Sequence, residues 1–284
     1  MWERINKFAH SHAVLSTLLL SAIIFTALGI FSFLTIQPQA GIPMGVGQQA
    51  RFTLGQMVLS VITIYLMRKL NVFNMSDFRL KNMGKGLLLG WVAIVGSIIN
   101  FVTAFTQIPS ASFITPNIPH LLIVIFRPII GTGFFEEVFF RGLVLKLLLV
   151  AFGDSKKGML KAALISSVIF GAVHITNAIF GAGLLPTISQ FIYATAIGIF
   201  YAALYLRTRN LWVPILLHAL INFSTQIFGA IVSHEGFTEL RAIVTEPSIA
   251  VFIISTLVMT VPFLIAGLVL LRKVKPDEKT DTIS

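Results

Sequence analysis

Two adjacent glutamates lie inside a long apolar run of this chain, in the segment Gly131-Thr-Gly-Phe-Phe-Glu136-Glu137-Val-Phe-Phe-Arg141-Gly. They are the only acids so placed among the chain's seven glutamates and four aspartates. An ionisable side chain at mid-bilayer depth costs about 2.5–3.5 kcal/mol on insertion scales, so two acids followed by an arginine mark a place where charge is used. Two further polar pairs stand in apolar runs, Phe170-Gly-Ala-Val-His174 and His218-Ala-Leu-Ile-Asn222. Residues four apart share a helix face, so His218 and Asn222 point the same way. Glu137 and Arg141 do too, with the acid N-terminal to the base, the favourable order. Glu136 and Glu137 stand about 100° apart around a helix axis and are not expected to aim at one point. That assigns Glu137 to Arg141 as a structural pair and leaves Glu136 to face a cavity.

These residue types suit peptide hydrolysis. The reaction needs a base for water and donors for a developing oxyanion. A glutamate held out of bulk water can be the base, a histidine can position the water or share its proton, and an Asn amide and a His N–H can donate to the oxyanion. The involvement of metal stays open. Zinc catalysis commonly uses three His, Glu or Asp ligands and a water. Glu136, His174 and His218 can supply three, and a metal-free glutamate mechanism fits equally. No His-Glu-x-x-His occurs, which removes the zincin-type membrane proteases. Asp77, Asp154, Asp277 and Asp281 all fall outside the apolar runs, which removes an aspartyl intramembrane protease. No serine sits in the acidic cluster.

The elements that must position these groups are membrane helices. The chain has 284 residues, 56% hydrophobic and 11% charged, with 25 Phe and a mean hydropathy of +0.90. Soluble domains carry about 25% charged residues. The net charge of +10 reflects anchoring of loops at a membrane surface rather than nucleic-acid binding. There is no cysteine, hence no thiolate nucleophile, thiolate ligand or disulfide. The charged head Met1–His12 and the long apolar run after it do not have the form of a cleavable signal peptide.

A span takes about 20 mostly apolar residues. Eight are expected, at 13–36, 52–67, 86–107, 121–151, 160–181, 187–206, 211–232 and 248–271, giving an all-α polytopic membrane helix bundle. Lys and Arg gather at alternate ends: Arg4 and Lys7; Arg68 through Lys85; Lys156, Lys157 and Lys161; Arg207 and Arg209; and Arg272 through Lys279. The opposite loops hold only Arg51 and Arg241. The positive-inside rule then places both termini in the cytoplasm of a multi-pass cell-membrane protein. Run 121–151 is long for one straight span and holds Pro128, Gly131 and Gly133, so either a kink precedes Glu136 or a long tilted helix projects from the membrane. At about 1.5 Å per residue, Glu136, His174, His218 and Asn222 all fall between the cytoplasmic third and the middle of the bilayer. His10, His12, His120 and His234 have no such setting. No internal repeat is visible, and 275–284 reads as a disordered tail.

Taken in order, EExxxR, FxxxH and HxxxN on successive spans resemble the CAAX-protease and bacteriocin-processing (CPBP, or Abi) family. The resemblance covers roughly 119–225, a catalytic core set between three N-terminal spans (1–110) and an extracellular loop with the last span (226–274). It implies an intramembrane endopeptidase with a cavity open toward the cytoplasm. It also implies that Glu136 and His174 activate water, that His218 and Asn222 stabilise the oxyanion, and that Glu137, Arg141 and Phe170 support the site. Zinc is a cofactor that family naming leaves open. The implied partners are the lipid bilayer and a membrane-associated peptide or protein substrate, with bacteriocin maturation or self-immunity among the settings. A proton-coupled transporter also places Glu, His and Asn at mid-membrane, but no inverted repeat supports it. A non-catalytic immunity or scaffold protein is the other alternative, against which the complete motif set stands.

Overall fold

The computed structural model describes residues 1–35, 45–106, 117–179, 182–232 and 248–275, and every regular element among them is helical. A short helix α1 (Trp2–Ser11) leads into α2 (Ala13–Thr35) and α3 (Val46–Lys69). A 3₁₀ turn (Met75–Phe78) precedes α4 (Met83–Leu89) and α5 (Trp91–Thr106). Then come α6 (Ile118–Phe152), α7 (Lys156–Val173), α8 (Leu184–Thr208), α9 (Trp212–Ile231) and α10 (Ile249–Arg272). Among the described residues seven helices are long and apolar enough to cross a membrane, and α4 with α5 make an eighth span if counted as one. His234, Arg241 and the tail beyond Lys275 lie outside the described residues.

Ile253, Ile254, Leu257, Val258 and Ile265 of α10 are exposed, as are Leu18, Leu19, Ile23 and Ile30 of α2. Lipid is as apolar as these side chains, so such faces carry no penalty in a bilayer. The bundle interior is tightly packed instead. From Val138 to Leu148 every residue except Lys146 is inaccessible to solvent.

Two spans differ from their sequence outline. The third is bent by 62° between α4 and α5, at Gly90. A Cβ there would come within 2.2 Å of Leu217, so a glycine lets α9 pack against the bend. The fourth, α6, contains neither a break nor a plain long helix. It runs through two π-helical stretches, Pro128–Gly133 and Val138–Val144, which bracket a single α-turn, Phe134–Glu137. Pro128 lacks the N–H that an α-turn would use, and a wider turn accommodates the loss.

The basic ends of the helices lie together. The Asp77 carboxylate accepts from Lys146 of α6 and, at 3.1 Å, from Tyr205 Oη of α8. Asn210 Nδ2 donates to the Arg79 and Lys81 carbonyls at 2.9 and 2.8 Å, and Trp212 Nε1 to the Phe78 carbonyl at 3.0 Å. The far ends are tied separately. Gln49 and His120 join α3 to α6 at 2.9 Å, Asn117 N–H donates to the Ala230 carbonyl, and Asn177 Nδ2 donates to Gln190 at 2.8 Å.

Candidate active site

The site is built where α6, α7 and α9 meet. Gly133 makes the approach possible: a Cβ there would lie 3.1 Å from the Ile215 carbonyl oxygen and 3.4 Å from the Ala219 nitrogen. The backbone of α9 therefore passes directly over the turn that carries the two acids, and His218 is lowered onto them. Its Nδ1 is 2.8 Å from Glu137 Oε1, and its Nε2 is 3.8 Å from Glu136 Oε2. Both glutamates reach one imidazole, contrary to the expectation from their angular separation. The reason is the shape of the ring, whose two nitrogens face opposite ways and wedge between diverging side chains.

Glu137 consequently has two duties. Its Oε1 also accepts from Arg141 Nη1 at 3.1 Å, and both side chains are buried at 0–1% exposure. Arg141 Nη2 donates to the Gly198 carbonyl of α8 at 3.0 Å, and the guanidinium lies over the rings of Phe170 and Tyr201 at 4.7 and 5.5 Å. The ion pair is the structural feature expected. The grip on His218 is additional. A carboxylate oxygen can only accept, so Nδ1 of His218 carries a proton and Nε2 faces Glu136.

His174 is fixed in the same sense. Its Nδ1 is 2.8 Å from the Phe170 carbonyl oxygen, one turn earlier. That oxygen also only accepts, so the neutral ring has its free lone pair at Nε2. Phe170 carries both imidazoles on edge-on contacts, 5.1 Å from His174 and 6.0 Å from His218 between centroids.

Glu136, His174, His218 and Asn222 line one cavity of about 370 Å³. Glu136 Oε2 is buried and makes no protein hydrogen bond. The walls include residues the sequence reading passed over. Gln56 of α3 accepts from Thr132 Oγ1 at 3.2 Å, and Arg127 Nη1 donates to Gln226 at 3.1 Å. Arg127 was findable by the same rule that exposed the glutamates, being a charge within an apolar run. Tyr201 was not findable; its ring stacks on His218 at 5.4 Å and holds the imidazole plane. Phe25, Leu28 and Ser32 show that the N-terminal spans help build the cavity, which is not confined to 119–225. An apolar groove of about 570 Å³ between α2 and α7 shares Phe25, Gly29, Val173 and Thr176 with it.

The proposed zinc triple is not assembled. Among the described residues no three His, Asp or Glu side chains stand close enough to hold a metal ion. Glu137 and the Phe170 carbonyl instead take one nitrogen from each of the two imidazoles.

Fold and site together define an all-α, multi-pass membrane protein with a buried carboxylate–imidazole centre in a polar cavity. Residues 118–224 match the family model described as Type II CAAX prenyl endopeptidase Rce1-like. The matched segment carries all three motifs, EExxxR, FxxxH and HxxxN. It is also 35% identical over 101 residues to a Bacillus subtilis (strain 168) protein named "Putative membrane peptidase YdiL". That alignment takes in 36% of this chain and 34% of the relative, so the chain spans about a third of its length. No solved structure matches.

Proposed function

We propose that the chain is an intramembrane endopeptidase that hydrolyses a peptide bond in a membrane-associated polypeptide. The observation that carries this reading is the buried Oε2 of Glu136, which makes no protein hydrogen bond and is set in a polar cavity beside two imidazoles each held at Nδ1. The descriptions of the family and of the Bacillus relative, an endopeptidase and a membrane peptidase, support it.

Glu136 removes a proton from a water whose other hydrogen is accepted by His174 Nε2. The water oxygen bonds to the scissile carbonyl carbon, and the carbonyl oxygen becomes an oxyanion. Asn222 Nδ2 donates to it. A proton from solvent on His218 Nε2, with Nδ1–H held by Glu137, would add a second donor to it. Collapse of the tetrahedral intermediate breaks the C–N bond, and Glu136 returns its proton to the leaving amine. Each oxyanion donor of this kind is worth about 10²–10³ in rate. No step passes through a metal.

The termini lie in the cytoplasm in this reading, because the basic helix ends share one side of the bundle. The apolar groove beside the cavity suits a hydrophobic stretch of the substrate. Bacteriocin maturation and self-immunity are settings that suit such an enzyme. The test is Glu136→Gln in a membrane cleavage assay. The amide cannot take a proton from water, so cleavage is expected to fall by about 10²–10⁴ while the protein folds normally. Full activity in that variant would remove Glu136 as the base.

A further inference from the structure

Two expectations drawn from the sequence cannot both hold in this structure: a cavity open toward the cytoplasm, and basic loops in the cytoplasm. The cavity reaches its deepest point at Glu136 and His218 and continues away from the basic helix ends. Its outer lining is Ser32 near the end of α2, Phe52 near the start of α3, and Gln226 near the end of α9. Thr176 and Asn177, just past the end of α7, and Gln190, near the start of α8, complete it. All six are at the ends that carry no lysine in the described residues. Thr176 is exposed there.

The other direction is packed shut. Phe78, Phe134 and Trp212 form a run of ring contacts at 6.4 and 5.9 Å below the acids. Val138 through Val144, the next two turns of α6, are wholly buried. Leu211, Val213 and Ile215 at the start of α9 are inaccessible as well.

Charge decides which expectation yields. The end away from the cavity carries Arg4, Lys7, Arg68, Lys69, Arg79, Lys81, Lys85, Lys156, Lys157, Lys161, Arg207, Arg209, Arg272, Lys273 and Lys275, and the cavity end carries Arg51 and, within the span, Arg127. These loops are short, the range in which Lys and Arg set orientation. We propose that the cavity opens to the extracytoplasmic side of the membrane. Its substrate is then an extended segment of a translocated or secreted membrane-associated polypeptide, met from outside. The mouth suits such a segment, because Asn177, Gln190 and Gln226 offer amides that pair with a peptide backbone. This inference rests on the peptidase reading for the nature of the substrate, but its geometry does not.

The chain's lack of cysteine makes the test direct. Thr176→Cys and Gln226→Cys place a thiol at the mouth on two different helices, and Lys157→Cys places one at the basic end. Protoplasts of bacteria expressing each full-length variant are treated with a charged, membrane-impermeant maleimide, before and after permeabilisation. The mouth variants are expected to label in intact protoplasts, and Lys157→Cys only after permeabilisation. The reverse pattern, labelling of both ends from outside, or mouth thiols that stay unlabelled even after permeabilisation would each overturn the proposal. Labelling requires no turnover. An inactive protein with the expected pattern would refute the peptidase and leave the orientation standing.

Discussion

Replacing Glu137 by alanine removes one oxygen that serves two buried groups. Oε1 accepts from Arg141 at 3.1 Å and from His218 at 2.8 Å, in surroundings where Glu137 is 0% exposed. Removing one partner of a buried ion pair costs about 3–5 kcal/mol, because the other charge stays buried without compensation. An unpaired buried donor costs about 1–3 kcal/mol. The two losses share one acceptor and do not add fully, so the net destabilisation expected is about 3–5 kcal/mol. Arg141 keeps the Gly198 carbonyl and the faces of Phe170 and Tyr201, which argues for the lower end. Thermal unfolding in detergent, followed by the fluorescence of Trp2, Trp91 and Trp212, measures it. The double variant Glu137→Leu/Arg141→Met removes both charges and is expected to recover most of the stability, since an apolar replacement for a buried ion pair is often neutral or better. It is not expected to recover cleavage, because nothing then fixes the His218 tautomer. A Glu137→Ala protein as stable as the wild type, or a double variant no more stable than the single one, would refute this account of the pair.

Further outcomes follow from the same geometry. Glu136→Gln is expected to lower the cleavage rate by about 10²–10⁴, the range for loss of a general base, with unchanged unfolding behaviour. His174→Phe keeps the ring volume but removes the Nε2 acceptor, and is expected to lower kcat more than it raises KM in steady-state assays. Gly133→Leu drives a side chain into the α9 backbone; it is expected to abolish activity and reduce the yield of folded protein on size-exclusion chromatography. Chelation by EDTA or phenanthroline is expected to leave the rate unchanged, because the three candidate ligands are not gathered; a rate restored only by added zinc would contradict that arrangement.

The match to the family model over 118–224, the seven or eight spans of the described residues, and the membrane setting could all be read from residue order alone. Apolar runs and charge are local properties, and the EExxxR, FxxxH and HxxxN spacings are one helical turn each. The depth rule also brought Glu136, His174, His218 and Asn222 to a similar level, which is where the cavity holds them. What spacing could not supply was the contact of one helix with another. The angular separation of Glu136 and Glu137 is a property of α6, but the imidazole that bridges them arrives from α9, eighty-one positions later in the chain. Its arrival depends on the missing Cβ of Gly133. Tyr201 and Arg127 gained their positions in the same way, through packing of α8 on α9 and the hydrogen bond to Gln226. Which end of the bundle the cavity lining occupies depended on the packing of the helices: a motif records how deep a residue sits, whereas the opening depends on which end the aromatic and aliphatic side chains of neighbouring helices fill.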